Sequence, residues 1–146
     1  MPRRAIEYSM EIFSEILKIK IPIGQSVSIK NQRGGKFVAT GSVEGVLVNC
    51  LGDANRLIKW GAFDAVQTLL MQVPGGRAVR GNAMNGLLGD LLLPCNSVEG
   101  CIAYYYGYKR GQRVLRRISP VANLLVWAGL CKNAPGELIM ISPPSR

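Results

Sequence analysis

The densest chemistry in this chain lies in nine residues, Lys109-Arg110-Gly111-Gln112-Arg113-Val114-Leu115-Arg116-Arg117, which hold five cations. Tyr104, Tyr105, Tyr106 and Tyr108 come just before them. Cations neutralise phosphates and tyrosine rings stack on bases, so this neighbourhood suits a polynucleotide. The plainer alternative is a strand with a solvated basic face. No acidic residue falls between Glu99 and Glu137 to balance the run, which favours RNA contact. A second group is Arg33-Gly34-Gly35-Lys36, where glycines let backbone amides approach phosphate, although any hairpin turn also favours glycine. The candidate RNA-contacting residues are Lys30, Arg33, Lys36, Arg77, Arg80, Tyr108, Lys109, Arg110, Arg113, Arg116 and Arg117.

Composition narrows the chemistry further. The 146 residues carry 18 Lys and Arg against 9 Asp and Glu, a net charge of +9. Such an excess points to a polyanion, nucleic acid before an anionic membrane surface. There is no histidine, which removes the usual base near neutral pH and the common nucleophile pairs. Cys50, Cys95, Cys101 and Cys131 form no C-x-x-C pair, so zinc and redox motifs are unsupported and buried thiols in a reducing compartment are expected. Glu44, Asp53 and Asp64 are scattered, whereas two-metal nuclease chemistry needs convergent carboxylates. The expectation is therefore no enzyme and no cofactor beyond Mg2+ carried by RNA. No apolar run reaches the roughly 18 residues of a membrane span. The first residues lack a signal-peptide pattern, and Glu7, Glu11 and Glu15 argue against a transit peptide.

These side chains need a scaffold. Ile6, Met10, Phe13 and Leu17 recur at helical spacing, predicting a helix over Pro2–Lys18. Ser26–Lys30, Phe37–Thr40 and Val43–Cys50 read as strands joined by turns. Residues 52–65 read as an insertion in which Trp60 either grips a nucleotide with Arg56 and Lys59 or folds back on the core. Val66–Val73 reads as another strand, and Pro74-Gly75-Gly76 as its hairpin turn into Arg77–Arg80. Leu87–Leu93 completes the apolar content of the unit, as barrel wall or short helix. Val121–Leu130 is strand or helix, and Leu138–Ile141 a last strand. Ser97-Val98-Glu99-Gly100 echoes Ser42-Val43-Glu44-Gly45, which reads as coincidence and not as a repeat. The fold class expected is mainly β: a small closed barrel at residues 21–95, an N-terminal helix at 1–20 and a basic C-terminal extension at 96–146.

The order of the pieces resembles a known family. Ile21-Pro22-Ile23-Gly24, Arg33-Gly34-Gly35-Lys36-Phe37-Val38, Ala39-Thr40-Gly41, Gly45-Val46-Leu47-Val48, Val73-Pro74-Gly75-Gly76, Arg80 and Gly86-Leu87-Leu88-Gly89 follow one another. Lys109–Pro120 then stands where a basic arm would. This succession is similar to the C-terminal half of the large-subunit ribosomal protein of the universal L-two family. The resemblance implies an SH3-like barrel with an N-terminal helix and an extended basic C-terminal arm. It implies a structural protein binding large-subunit rRNA near the peptidyl-transferase region, beside neighbouring ribosomal proteins and a separately encoded N-terminal half. That family's oligonucleotide-binding-like N-terminal domain and histidine-rich loop have no counterpart here, which implies an organellar, mitochondrial ribosome ahead of a cytoplasmic one. The alternative is a free-standing Sm-like or other single-domain nucleic-acid-binding module, suggested by Val79-Arg80-Gly81-Asn82. Read this way, alanine at Arg113, Arg116 and Arg117 together leaves the fold intact and abolishes rRNA retention in filter binding.

Overall fold

The computed structural model describes residues 12–53 and 56–141. Among the described residues are two antiparallel sheets and four α-helices. The first helix, α1 (Phe13–Lys20), overlaps the predicted Pro2–Lys18 helix and starts after an extended Ile12; residues 2–11 of that prediction lie outside the described residues. A meander follows: β1 (Ser26–Lys30), β2 (Lys36–Gly41), β3 (Gly45–Val48) and β4 (Leu57–Lys59) pair in that order. The alternation predicted for β1 and β2 is real. Ile29, Phe37 and Ala39 point inward while Lys30, Lys36 and Val38 face out. The turn between them closes through Gly34 N–H donating to Asn31 O at 3.1 Å, with Gly34 at φ 104.

The sheet does not close. Among the described residues its order ends at β1 and β4, with no pairing between them, so the expected closed barrel is not seen. Two segments that depart from expectation explain part of this. Residues 60–72 form one helix, α2 (Trp60–Gln72), that runs from the second half of the predicted insertion through the predicted strand at Val66–Val73 as far as Gln72. Ala62, Phe63, Val66, Leu69 and Leu70 are its buried face, and that spacing is helical. The Pro74–Gly76 turn then leads out of a helix, and β5 (Arg77–Val79) pairs across the chain with a late strand.

The remaining elements come from the predicted extension. They are α3 (Val98–Tyr105), α4 (Ile118–Trp127), β6 (Cys131–Ala134) and β7 (Glu137–Met140). The second sheet has the order β5-β7-β6, so it joins residues on both sides of the expected boundary at 95/96. Val121–Leu130 resolves mainly as helix, while the last strand falls where Leu138–Ile141 is predicted. One apolar cluster takes Phe13 and Leu17 from α1, Ile29, Phe37 and Val46 from the first sheet, Phe63 and Leu70 from α2, Ile102 from α3, Leu124 from α4 and Leu138 from β7. Helix and sheet thus share one core, and the chain is an α/β protein where a mainly β one was expected. Apolar burial at roughly 25 cal/mol per Å² makes that shared cluster the main stabilising element.

Gly45 marks the tightest approach within the first sheet. A Cβ there would collide with the carbonyl of Ile58 on the paired strand. Gly45→Ala should lower stability by about 2 kcal/mol, read as a fall in Tm. Gly52 has nothing within 4 Å of a built Cβ. Gly52→Ala should therefore stay within ~0.5 kcal/mol of wild type.

Candidate nucleic-acid interface

The basic arm is set up by α3. Ser97 caps that helix, its Oγ accepting Gly100 N–H at 3.0 Å. At the other end Gly107, at φ 90, turns the chain, and Tyr108 N–H donates to Ala103 O at 3.1 Å. From there to Arg117 the arm runs without regular structure, strapped to the loop at 81–93. Gly111 N–H donates to Leu88 O at 2.8 Å, and Leu88 N–H donates to Gln112 O at 2.9 Å. Val114 is buried with Ala83, Leu88, Leu93 and Ala103, and Tyr108 packs against that small cluster. One buried valine among cations anchors the arm by its apolar residue and turns the charges outward.

The eleven candidates divide by burial. Lys109, Arg110, Arg113 and Arg116 are exposed, and among the described residues none forms an ion pair. Arg113 Nη1 donates to Met84 O at 3.3 Å, which orients its side chain. Lys30, Arg33 and Lys36 are also exposed at the first turn. Lys30 and Lys36 stand directly opposite each other in the ladder. Like charges so placed repel, and an anion bound between them relieves that. Asn123 of α4 donates from Nδ2 to Asn31 Oδ1 at 3.2 Å at the base of this turn. The arm ends where α4 begins, roughly 7.5 Å of helix rise from Asn123. One helix therefore follows the arm directly and touches the base of the first turn.

Four candidates have structural tasks. Tyr108 packs in the small cluster described above. Arg77 faces Glu137 Oε1 at 3.7 Å on the second sheet, an exposed pair of small worth. Arg80 is half-buried and donates from Nη1 to Asn133 Oδ1 at 2.7 Å. Burial lowers its pKa, against the pull of nearby Glu99. Arg117 departs furthest from expectation. It is only 7% exposed, with its guanidinium carbon 3.8 Å from the centre of the Tyr106 ring. Its Nε and Nη1 have no hydrogen-bond partner among the described residues. The second arginine of the Arg116-Arg117 pair turns inward because it is the residue at the start of α4, above the core.

Glu99 carries no motif in the sequence, yet it organises this region. It is 1% exposed, in the first turn of α3. Its Oε2 accepts Arg117 N–H at 3.1 Å and its Oε1 accepts Ile118 N–H at 3.2 Å. Arg117 supplies no side-chain cap to α4, so Glu99 serves as that cap from another helix. Asp64 on α2 does the same for α1, accepting Ser14 N–H at 3.0 Å and Ser14 Oγ at 2.7 Å. Asp64, one of the three scattered carboxylates, is thus engaged in packing. No group of three His, Cys, Asp or Glu that could hold a metal occurs among the described residues. Trp60 folds back, half-buried against the core, with Nε1 donating to Val43 O at 3.0 Å. All four cysteines are free; Cys131 is buried as expected, whereas Cys50 and Cys95 are exposed.

Comparison with known protein families, curated proteins and solved structures finds no match for this chain.

Glu99→Ala should cost about 3 kcal/mol, because it orphans two amides and leaves Arg117 buried without its counter-charge. Arg116→Ala, on the exposed neighbour, should change stability by less than ~0.5 kcal/mol. The triple alanine variant expected from sequence to stay folded should therefore melt early, entirely through Arg117. Burial pushes the Glu99 carboxyl up, opposed by the two amide hydrogen bonds and by Arg116 and Arg117. A carboxyl raised in the folded state binds more protons folded than unfolded. Its contribution is present below the ordinary glutamate value and is lost as pH rises through the raised one. The Tm difference between wild type and Glu99→Gln should thus move against wild type as pH climbs through that window, checked by circular-dichroism melts.

Proposed function

We propose that this chain binds RNA through the exposed cations of its arm, as a structural constituent of the large ribosomal subunit. The observation that supports RNA binding is the cluster of Lys109, Arg110, Arg113 and Arg116. They are exposed, free of ion pairs among the described residues, and held by a buried anchor at Val114. Unneutralised cations on a pinned segment gain from phosphate by releasing its counterions. Lys30, Arg33 and Lys36 supply a second phosphate contact from the first turn. What supports the ribosomal placement is the order of motifs from Ile21 to Pro120. In this reading β1–β4 is the counterpart of that family's SH3-like barrel, left open at β4. The partners are large-subunit rRNA near the peptidyl-transferase region and neighbouring ribosomal proteins, in a mitochondrial ribosome. Mg2+ enters only with the RNA.

The test is binding of large-subunit rRNA fragments by fluorescence anisotropy across a salt series. Alanine at Lys109, Arg110, Arg113 and Arg116 together should leave Tm unchanged. It should flatten the salt slope by about one unit for each phosphate no longer neutralised. Unchanged affinity would refute the arm as the RNA surface. Co-sedimentation with large ribosomal particles separates the two settings. A free-standing module would bind the fragments yet stay in the supernatant.

A further inference from the structure

A groove of about 700 Å³ lies between α2 and α3. We propose that it takes one unpaired RNA base, stacked on Tyr104, while the arm holds the phosphates on either side. This inference rests on the RNA reading and adds the part of RNA that is recognised. The walls are apolar, with Ala65 and Leu69 from α2 and Cys101 and Tyr105 from α3. Thr68, Gln72 and Asn96 bring hydroxyl and amide groups to the same groove, the types that meet a base edge. Among the described residues no carboxylate lines it. Burial raises the Cys101 thiol to about 11, which keeps that wall uncharged at neutral pH.

One wall is built in advance. Tyr105 meets Tyr106 edge-on, with ring centres 5.1 Å apart. The Tyr106 hydroxyl in turn accepts Lys59 N–H at 3.0 Å. Tyr105 also lies so close over Gly61 that a Cβ there would collide with its hydroxyl. Tyr104, by contrast, is 78% exposed at the groove, a ring face with no neighbour ring among the described residues. The charge next to it decides the occupant. Gly107 N–H donates to Tyr104 O at 3.0 Å, and Tyr108 N–H is tied to the same helical turn. Lys109 follows at once. An aromatic face beside an apolar slot and a run of unpaired cations is how sequence-tolerant single-strand sites are made. An apolar peptide would find the slot but would leave the neighbouring cations without partners.

The experiment compares two short single-stranded RNAs of equal length, one carrying bases and one abasic at its central positions. Both are titrated into the whole protein. Tyr104→Ala should weaken the base-bearing RNA about tenfold while leaving the abasic RNA and the salt slope unchanged. Tyr104→Trp should retain affinity. Thr68→Trp, which fills the groove from the α2 side, should reproduce the loss. Equal losses on both RNAs, or no loss from either groove variant, would overturn the base pocket while the RNA reading stands. If wild type binds neither RNA, that reading fails and the pocket fails with it. If wild type binds both equally, the pocket alone fails.

Discussion

The carboxylate of Glu99 sits where four pieces of chain meet. Its backbone N–H donates to Arg80 O at 2.9 Å, and its side chain takes the first amides of α4. Arg80 and Arg117 supply charge around it. A buried carboxylate needs partners for its lone pairs and charge; here two amides meet its oxygens, and the nearby arginines offset part of the cost of burial. Every other feature of the arm follows from that fixed point. The arm leaves α3 at Gly107 and must return to Glu99 at Arg117, so its two ends belong to the same small volume of the fold.

Fixing both ends sorts the cations. The residue at the Glu99 end, Arg117, is drawn under the chain and stacks on Tyr106. Its neighbour Arg116 stays in solvent, and Val114 takes the one inward position in the middle. Among the described residues the arm's exposed cations form no ion pair, which leaves them available to phosphate. The same solution appears at α1, where Asp64 caps a helix that begins without its own cap. Two acids that could pass for chemistry are spent on helix starts, and the surface is left more basic than composition alone implies.

The parts legible in the sequence were those with local causes. Period-two alternation marked β1 and β2, Arg33-Gly34-Gly35-Lys36 marked their turn, and Leu138–Ile141 marked β7 to within a residue. The helical period of α2 is in the sequence as well. Within Val66–Val73, Val66, Leu69, Leu70 and Val73 already fall at helical spacing between the polar Gln67, Thr68 and Gln72, and Ala62 and Phe63 extend the same face. The tyrosines of α3 suggest a strand because aromatic residues favour sheets. The signal that corrects this is Ser97, three residues before Gly100, a helix cap. Ser42 makes the matching contact, accepting Gly45 N–H at 3.2 Å in the turn before β3. The echo between the two motifs is thus a shared local geometry set in different surroundings. Arg117 and Glu99 were illegible for another reason: which of two adjacent arginines turns inward depends on a helix packed from elsewhere. Among the described residues, seven of the candidate cations stay exposed and outside any ion pair, one of them, Arg113, with a carbonyl contact to Met84.

Amide hydrogen exchange of the whole chain, with and without a large-subunit rRNA fragment, reads the central claim peptide by peptide. The account predicts slowed exchange at 107–116 and at the Lys30–Lys36 turn, with β6 and β7 unchanged. Slowing confined to the β6–β7 hairpin, or absent from the whole chain at saturating RNA, would contradict it.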